Sequence, residues 1–396
     1  MGYHPSLRVR SYGWQATTPN ILNFKLINIQ HKAKNPVTAR LIVIVVLTLV
    51  FLIPMLFVQG LVLEREYTRD TAIQEASGKW ANLQTIGGPI LTIPYKKITT
   101  DKDGNIKEKN GFAYFLPDEL NVTSSVSPQT LQRGIYEIIV YSTNVSASGV
   151  FPKISVDELG ISETELLYSE AFVSIGIPDM RGIEENITLK WNDADIELNP
   201  GLVSKNVIDS GVSARVSADG AKESYTFSFD LALKGSNQLN FLPLGKTTSI
   251  DLTSNWQNPS FDGAFLPDER EISNTGFTAK WKILDLNRNF PQSWLDNMHQ
   301  IHTSTFGVTL LAGVDEYQKT TRSVKYALLF IALTFLIFFF AEIFNSIRIH
   351  PIQYLLVGFA LTLFYTLLLS ISEHLGFNTS YAIASIATIV LITIYS

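Results

Sequence analysis

Residues 41 to 63 read LIVIVVLTLVFLIPMLFVQGLVL, a run without a charged side chain. As an α-helix this run would be about 34 Å long, at about 1.5 Å per residue. That length is enough to cross a hydrocarbon core of about 30 Å. No small-residue cleavage site follows Leu63, so we interpret the run as an uncleaved membrane anchor rather than a secretory signal. Pro54 removes a backbone hydrogen bond from the helix interior and is expected to bend it.

Three more apolar runs of spanning length lie near the end of the chain. They are Tyr326–Phe344, which contains one carboxylate at Glu342, then Ile352–Ser372 and Thr379–Ser396. Backbone groups in lipid must be hydrogen-bonded within their own segment, so each run is predicted to be a helix. Residues 64–322 carry charged side chains throughout and are predicted to fold in water as one large or two modest domains.

The distribution of charge predicts the orientation of the chain. The first forty residues carry six basic side chains and no acidic one, although the net charge of the whole chain is −5. The six are Arg8, Arg10, Lys25, Lys32, Lys34 and Arg40. Positive charge beside a span favours the cytoplasmic side, so the N-terminus is predicted to be cytoplasmic and the middle of the chain to lie outside the cytoplasm. Lys319, Arg322 and Lys325 flank the second span on the predicted outer side, but long domains are translocated largely regardless of charge.

Together these features predict a multi-pass α-helical membrane protein with a large domain outside the cytoplasm, and the strand patterns described below make that domain β-rich. The predicted segments are a basic cytoplasmic segment at 1–38, the first span at 39–63, the β-rich domain at 64–322 and three spans at 323–396. The chain contains no cysteine. The domain therefore has neither disulfides nor thiolate metal sites, and its packed core must stabilise it.

Residues 64–84 are predicted to extend the first helix out of the membrane. They contain charged residues interspersed with apolar ones and no proline. Pairs of opposite charge at this spacing support a helix in water. The run Gly87-Gly88-Pro89 is predicted to end the helix, because glycine and proline are unfavourable inside helices.

Short strands are predicted beyond this point. Apolar side chains recur at every second residue from Tyr225 to Leu233 and so share one face of a strand. Ile90–Tyr95 and Gly111–Leu116 flank turn residues 101–105 and are predicted to form a hairpin. Further strands are predicted at Ile135–Tyr141, Phe172–Ile177, Ile187–Trp191 and Thr278–Leu284. Short strands without long helical patterns between them favour antiparallel sheets packed as a sandwich.

One motif occurs twice in the predicted domain. Phe115–Glu119 reads FLPDE, and the same letters return at Phe265–Glu269. Two related β-units would explain the repeat. The alternative is chance, because Leu-Pro-Asp is common where a strand begins or ends in a turn. The sequence does not decide between the two.

The order of the spans places the loops of the predicted bundle. The loop at 345–350 is predicted to be cytoplasmic and carries Arg348, as the positive-inside rule requires. Pro351 is predicted to open the next helix, where its missing N–H costs nothing. A polar loop at 372–378 is predicted to return the chain inward. A stripe of small residues then suits close helix packing; it consists of Ser380, Ala384 and Thr388.

The sequence lacks the common catalytic motifs. It contains no Gly-x-Ser-x-Gly elbow, no His-Glu-x-x-His helix and no phosphate-binding glycine loop. His299 and His302 would share a helix face, with Asp296 nearby, but two histidines do not make a metal site, and surface or packing roles are favoured. We therefore predict no enzymatic activity and no cofactor. The domain outside the cytoplasm has no basic aromatic patch, so nucleic-acid binding is not predicted.

A few ionisable residues in or beside the spans are candidate functional residues. Glu342 stands out because a charge inside a span is costly and marks a functional hypothesis. It lies near the predicted cytoplasmic end, so an ion pair with Arg348 or His350 across the turn, or extension to the interface, is the simpler explanation. Glu373 and His374 are expected to be exposed at the outer interface. A proton-coupled role for His374 is conceivable but has no support in the sequence.

Several motifs are long enough to compare with known families. Near the end of the chain they are Arg322–Phe335 with Phe338–Glu342, Arg348–Gly358 and Leu368–Phe377. Upstream they are Glu64-Arg65, Trp80, Gln84, Gly88-Pro89, Pro94-Tyr95, Arg133–Tyr136, Asn240–Thr247 and Trp256–Phe261. In this order they resemble the CreD family of bacterial inner-membrane proteins. The resemblance covers nearly the whole chain after Arg40, whereas the leader before Lys34 departs from it.

The resemblance implies an inner-membrane protein of the Gram-negative envelope, so the β-rich domain outside the cytoplasm is predicted to be periplasmic. It further implies an association with stress-responsive gene control by a two-component system and with tolerance to colicins, and no catalytic activity. Members of the family continue through further spans after the position equivalent to Ser396. We therefore expect this sequence to be part of a longer chain.

Three functions are compatible with the sequence. The leading one is a non-enzymatic protein that supports envelope integrity, with its helices in the lipid bilayer and its β-rich domain against another envelope protein. The second is a subunit of a transporter or channel, which would need polar residues such as Glu342, Arg348, Glu373 and His374 along its bundle. The third is a sensor that passes an outer signal through the bent first helix.

Overall fold

The computed structural model describes residues 36–100, 106–296, 299–312, 316–345 and 349–395. The predicted turn at 101–105, Arg348 and all but the last residues of the basic N-terminal segment lie outside the described residues. The described helices are α1 (Pro36–Trp80), α2 (Glu316–Lys325), α3 (Ala327–Phe344), α4 (Pro351–Leu375) and α5 (Phe377–Tyr395). Four of them, α1, α3, α4 and α5, are long and apolar enough to cross a membrane.

The described part of the chain between α1 and α2 forms strands joined by turns and short 3₁₀ segments. The first nine strands are β1 (Gln84–Thr100), β2 (Ile106–Phe115), β3 (Glu119–Arg133), β4 (Tyr136–Pro152), β5 (Phe172–Gly176), β6 (Thr188–Trp191), β7 (Ala194–Glu197), β8 (Asn199–Pro200) and β9 (Gly211–Arg215). The others are β10 (Ser224–Ser236), β11 (Gln238–Phe241), β12 (Thr247–Ser254), β13 (Pro259–Gly263), β14 (Glu269–Ser273), β15 (Gly276–Leu284), β16 (Ser293–Leu295) and β17 (Phe306–Leu310). Every strand predicted from the sequence is present.

The strands form two sheets. The first has nine strands in the order β13-β17-β11-β1-β5-β9-β8, with β2 paired to β1 and β16 paired to β2. The second has eight strands in the order β14-β15-β12-β3-β4-β10-β6-β7. The predicted hairpin is confirmed, since β1 and β2 pair antiparallel from Leu91 and Phe115 to Thr100 and Ile106.

The expectation of purely antiparallel sheets is wrong, because both sheets are mixed. Strand β1 pairs parallel with β11, and β3 pairs parallel with β12. Parallel neighbours need a long connection between them. The sequence alternation that identified the strands does not depend on the direction of the neighbouring strand. The alternation therefore cannot distinguish a mixed sheet from an antiparallel one.

A shared apolar core joins the two sheets. One cluster of buried side chains includes Ile90 and Val173 from the nine-stranded sheet together with Leu231 and Ile250 from the eight-stranded sheet. In β10 the alternate residues from Tyr225 to Leu233 are buried, as the pattern predicted. Burial of these faces is the main stabilising contribution to such a domain. The sandwich arrangement stays a prediction, and the shared cluster supports it.

The two FLPDE motifs have the same local role. The backbone N–H of Asp118 donates to Val150 O at 2.8 Å, and that of Asp268 donates to Lys280 O at 2.9 Å. Each motif thus leads into a strand, β3 or β14, that pairs antiparallel with the next strand. This likeness is compatible with duplication and with shared turn chemistry, so the internal repeat stays a hypothesis.

Helix α1 differs from its predicted length at its end. It runs without interruption through Pro54, and the predicted extension beyond Leu63 is confirmed as far as Trp80. The prediction that Gly87-Gly88-Pro89 ends the helix is wrong, because these residues lie inside β1. Gly88 has a φ of 140°, and a Cβ there would lie 2.9 Å from Ser174 O of the neighbouring strand. The glycine therefore permits a close approach of two strands.

The bundle agrees with the predicted spans, with two differences. Helix α2 falls where the sequence was assigned to the β-rich domain. The predicted polar loop at 372–378 is reduced to Gly376 between α4 and α5, whose φ of 70° suits glycine. Pro351 opens α4 as expected. The predicted small-residue stripe is buried, and α5 packs against α4.

Candidate functional site

The most deeply buried charge in the described spans belongs to Glu342. Its carboxylate is 4% exposed, and Oε1 lies 3.2 Å from Nη1 of Arg40. The hydroxyl of Tyr354 donates to Oε2 at 3.4 Å. We call Arg40, Glu342 and Tyr354 the distal cluster, because they lie at the end of the bundle away from the β-rich domain.

Three helices contribute one residue each to the distal cluster. Arg40 lies in the second turn of α1, Glu342 in the last turn of α3 and Tyr354 in the first turn of α4. Beside them is a cavity of about 150 Å³ that is otherwise lined by apolar side chains and Pro351. A carboxylate removed from water is tolerated when an opposite charge and hydrogen bonds compensate it. The cluster therefore holds α1, α3 and α4 together at one end.

The partner of Glu342 differs from the one expected. His350 is exposed and caps α4, since its Nδ1 accepts from the backbone N–H of Ile352 at 3.3 Å. The backbone N–H of His350 donates to Gln353 Oε1 at 3.1 Å, which completes a capping box. Glu342 thus neither pairs with His350 nor extends to the surface, and Arg348 lies outside the described residues. The capping role of His350 is local to α4.

A second ion pair lies at the opposite end of the bundle. Nε of Arg65 on α1 is 3.7 Å from Oε1 of Glu373 on α4. Glu373 is only 10% exposed, so the expectation that it is exposed is wrong, whereas His374 is exposed as expected. We call Arg65 and Glu373 the proximal pair. Arg40 and Arg65 are 25 residues apart, about 37 Å along a helix, so the two contacts bracket the part of α1 that can lie in a bilayer.

The end of α1 is joined to the β-rich domain by polar contacts. The guanidinium of Arg181 donates to the Asp179 carboxylate at 2.8 and 2.6 Å, and also donates to Gly78 O. The backbone N–H of Asn82 donates to Asp179 Oδ2 at 2.9 Å. Gln84 Nε2 donates to Asp179 O at 2.9 Å. We call these five residues the domain anchor.

Electrostatics support the domain anchor. Hydrogen bonds from the Arg181 guanidinium, joined by the Asn82 N–H, outweigh burial and lower the pKa of Asp179 to about 2. The carboxylate is therefore ionised at all physiological pH values. Two further contacts hold the same helix end: Arg133 pairs with Glu75 at 2.9 Å, and Lys234 lies 5.0 Å from the centre of the Trp80 ring.

His299 and His302, which were considered as metal ligands, do not share a helix face. His302 lies in a short 3₁₀ turn, and His299 precedes that turn with its ring 5.2 Å from the Trp294 ring. Asp296 accepts from Tyr95 at 2.6 Å and lies 3.0 Å from Lys109 Nζ. Burial acts to raise the pKa of Asp296, but these hydrogen bonds lower it overall. No group of three possible metal ligands occurs among the described residues.

Comparison with known proteins agrees with the resemblance. A family model described as "Inner membrane protein CreD" matches residues 36–396. This chain belongs to the CreD family. The inner membrane protein CreD of Escherichia coli strain K12 is 31% identical over 355 residues, which are 88% of this chain and 78% of that relative. The predicted family is therefore confirmed, and the chain is an inner membrane protein of the CreD family.

The CreD family match begins at Pro36, where α1 begins, and includes the distal cluster, the proximal pair and the domain anchor. Sequence reasoning used Arg40 and Arg65 only as charges. A usable signal was available for Arg40, because Arg40 and Glu342 are single charges at the same predicted end of two spans. Two opposite charges at the same depth of a membrane are expected to pair with each other.

Proposed function

We propose that this CreD-family chain is a non-enzymatic inner-membrane protein that supports cell-envelope integrity. Its N-terminus lies in the cytoplasm, and its β-rich domain lies in the periplasm and contacts another envelope protein. Its role belongs to the response to envelope stress, including tolerance to colicins, as the family resemblance implies. Lipid and that protein partner are its binding partners, and it uses no cofactor.

The observation that carries the proposal is the attachment of α1 at three places. The distal cluster and the proximal pair attach the helix to the bundle, and the domain anchor attaches it to the β-rich domain. A continuous helix held in this way fixes a folded domain relative to the membrane. Such an arrangement suits a protein that presents a surface to a partner rather than one that moves a substrate.

Several large apolar side chains of the β-rich domain are exposed. Among them are Leu286 at 88%, Leu266 at 64% and Val203 at 59%. Leu266 belongs to the second FLPDE motif, and Leu286 follows β15. Single exposed apolar side chains are normal on a protein surface, so these three are probe positions for a partner contact rather than a defined surface.

The experiment is crosslinking in living cells. A photo-reactive amino acid is placed at Leu286, Leu266 or Val203 of the full chain, and at Lys205 as an exposed polar control. We expect a crosslink to one envelope protein from at least one apolar position and a weaker one from Lys205. Loss of growth under envelope stress when that position is changed to Asp would connect the contact to function. Turnover of a cell-wall or lipid substrate by the purified protein would refute the non-enzymatic assignment.

A transporter or channel subunit is the second candidate, favoured by the buried Glu342 beside its cavity. Against it, the predicted spans contain no charged residue between the two ends: none at 41–63, 327–341, 352–372 or 379–396. A hydrophilic path usually needs such residues. Ion flux into vesicles that carry the wild-type chain, lost in Glu342→Gln, would favour transport over the integrity role.

A further inference from the structure

Two cations at the junction of α2 and α3 have no partner within the described part of the chain. Arg322 and Lys325 are exposed and make neither an ion pair nor a hydrogen bond to the described residues. Lys319, one turn earlier, lies 5.6 Å from the centre of the Phe377 ring. Two long cationic side chains therefore project from the end of the bundle that is nearest to the β-rich domain.

The surface below these cations is continuous and apolar. Tyr326, Leu329, Leu333 and Ile337 follow at helical spacing, and their exposed fractions are 55, 63, 48 and 59%. The opposite side of the same helices is buried, with Val324, Ala327, Ile331 and Phe335 in the core of the bundle. An exposed apolar stripe on a span of an inner membrane protein is covered by lipid tails or by another span, and the two cations above this stripe favour lipid.

Arg322 and Lys325 lie at the depth expected for lipid phosphates. Helix α3 has 18 residues, about 27 Å, close to a hydrocarbon core of about 30 Å. Lys325 and Arg322 lie two and five residues before its start, so at most about 3 and 8 Å beyond the span. The headgroup layer extends about 5 to 8 Å from the core on each side. Arginine and lysine side chains readily reach into this layer.

The positive charge of Arg322 and Lys325 indicates an anionic ligand. From Lys319 to Ala341 the sequence contains three cations and no acidic residue. A phosphate ester can accept hydrogen bonds from the guanidinium of Arg322, while the ammonium of Lys325 adds a second positive charge. The Tyr326 hydroxyl supplies a further donor at the interface. No soluble anion would use the apolar stripe below.

We propose that Arg322 and Lys325 form a binding site for the headgroup of an anionic phospholipid in the leaflet that faces the β-rich domain. The acyl chains of that lipid lie along Leu329, Leu333 and Ile337. The site accounts for basic residues on the side of the membrane where the charge rule disfavours them. It does not depend on the proposed envelope-integrity function.

The test measures lipids retained by the purified full chain in native mass spectrometry. The protein is supplied in detergent with equal amounts of phosphatidylglycerol and phosphatidylethanolamine, with or without inorganic phosphate. We expect phosphatidylglycerol to be retained preferentially. The double variant R322Q/K325Q should retain it roughly tenfold less, as expected for two cations near an anionic headgroup. The conservative variant R322K/K325R should restore most of the retention.

Two controls decide the outcome. K205Q/K282Q removes two exposed lysines of the β-rich domain and should leave retention unchanged, which separates a local site from general charge. Equal retention by R322Q/K325Q and the wild type would overturn the proposal. Displacement of the lipid by millimolar inorganic phosphate would also overturn it, since a simple anion site would then be sufficient. Unchanged circular dichroism of R322Q/K325Q confirms that a loss of lipid is not a loss of fold.

Discussion

The ring of Phe51 on α1 packs directly against the backbone of Gly358 on α4. A Cβ atom at position 358 would lie 2.2 Å from a ring carbon of Phe51. The ring is also fixed by edge contacts, with centroids 6.0 Å from Phe335 and 5.4 Å from Phe359. Glycine at position 358 thus allows the two helices to approach closely.

Gly358→Ala is expected to destabilise the bundle, because the added methyl group forces the Phe51 ring out of a packed position. The cost should be about 1–3 kcal/mol in the free energy of unfolding, the range for overpacked cores. Gly60→Ala is the matched control, since a Cβ at that position meets nothing within 4 Å. Thermal unfolding in detergent measures both. Equal stability of the two variants would contradict the close approach.

Arg40→Ala is expected to be destabilising, because it leaves the carboxylate of Glu342 buried without its ion-pair partner. Breaking a fully buried pair typically costs about 3–5 kcal/mol. The cost here should be smaller, about 1–3 kcal/mol, because the Arg40 side chain is 36% exposed. Arg322→Ala removes an exposed arginine and should change stability by no more than about 0.5 kcal/mol. The double variant R40A/E342A should cost less than the sum of its single changes. Additive effects in that double-mutant cycle would show that the two residues are not coupled.

Asp179→Asn is expected to weaken the attachment of α1 to the β-rich domain by about 1–3 kcal/mol, because charged hydrogen bonds to Arg181 and Asn82 are lost. The effect depends on pH. Because the pKa of Asp179 is lowered from its ordinary 3.8 to about 2 in the folded state, the unfolded state binds the proton more tightly. This contribution is fully present well above pH 4 and is lost as pH falls toward 2. Glu223→Gln serves as the control, since Glu223 is 81% exposed in its pair with Lys153.

Denaturant unfolding at pH 7 and pH 3 measures this dependence for the wild type, Asp179→Asn and Glu223→Gln. The difference between the wild type and Asp179→Asn should be smaller at pH 3. A difference that is independent of pH would show that the charge of Asp179 contributes nothing to the domain anchor.

Local patterns in the sequence predicted most of the elements. A continuous apolar run such as 41–63 has no favourable alternative to a membrane helix, and the alternation in β10 has no favourable alternative to a half-buried strand. The extension of α1 to Trp80 was visible in its charge spacing. Helix α2 was missed because its ten residues are mostly polar. Its buried positions, Thr320 and Val324, can be recognised only from their packing against the bundle.

Most contacts of the candidate site could not be predicted from the sequence. The sequence singled out Glu342 as a costly charge, but its partner Arg40 lies 302 positions earlier in the chain. Pairing at that separation is decided by the packing of helices rather than by local spacing. The domain anchor was missed for the same reason, because Asp179 and Asn82 are 97 positions apart in the chain and are brought together by the fold. Parallel strand pairs are likewise determined by topology.

In the proposed topology the β-rich domain lies outside the cytoplasm and the distal end of the bundle lies inside. The chain contains no cysteine, so single cysteines can be introduced at Lys205 on the domain and at Asn345 after α3, both of which are exposed. Intact cells, with an outer membrane made permeable to small molecules, are treated with a membrane-impermeant maleimide. We predict labelling of Lys205→Cys in intact cells and of Asn345→Cys only after the inner membrane is opened. Labelling of Asn345→Cys but not of Lys205→Cys in intact cells would contradict this topology.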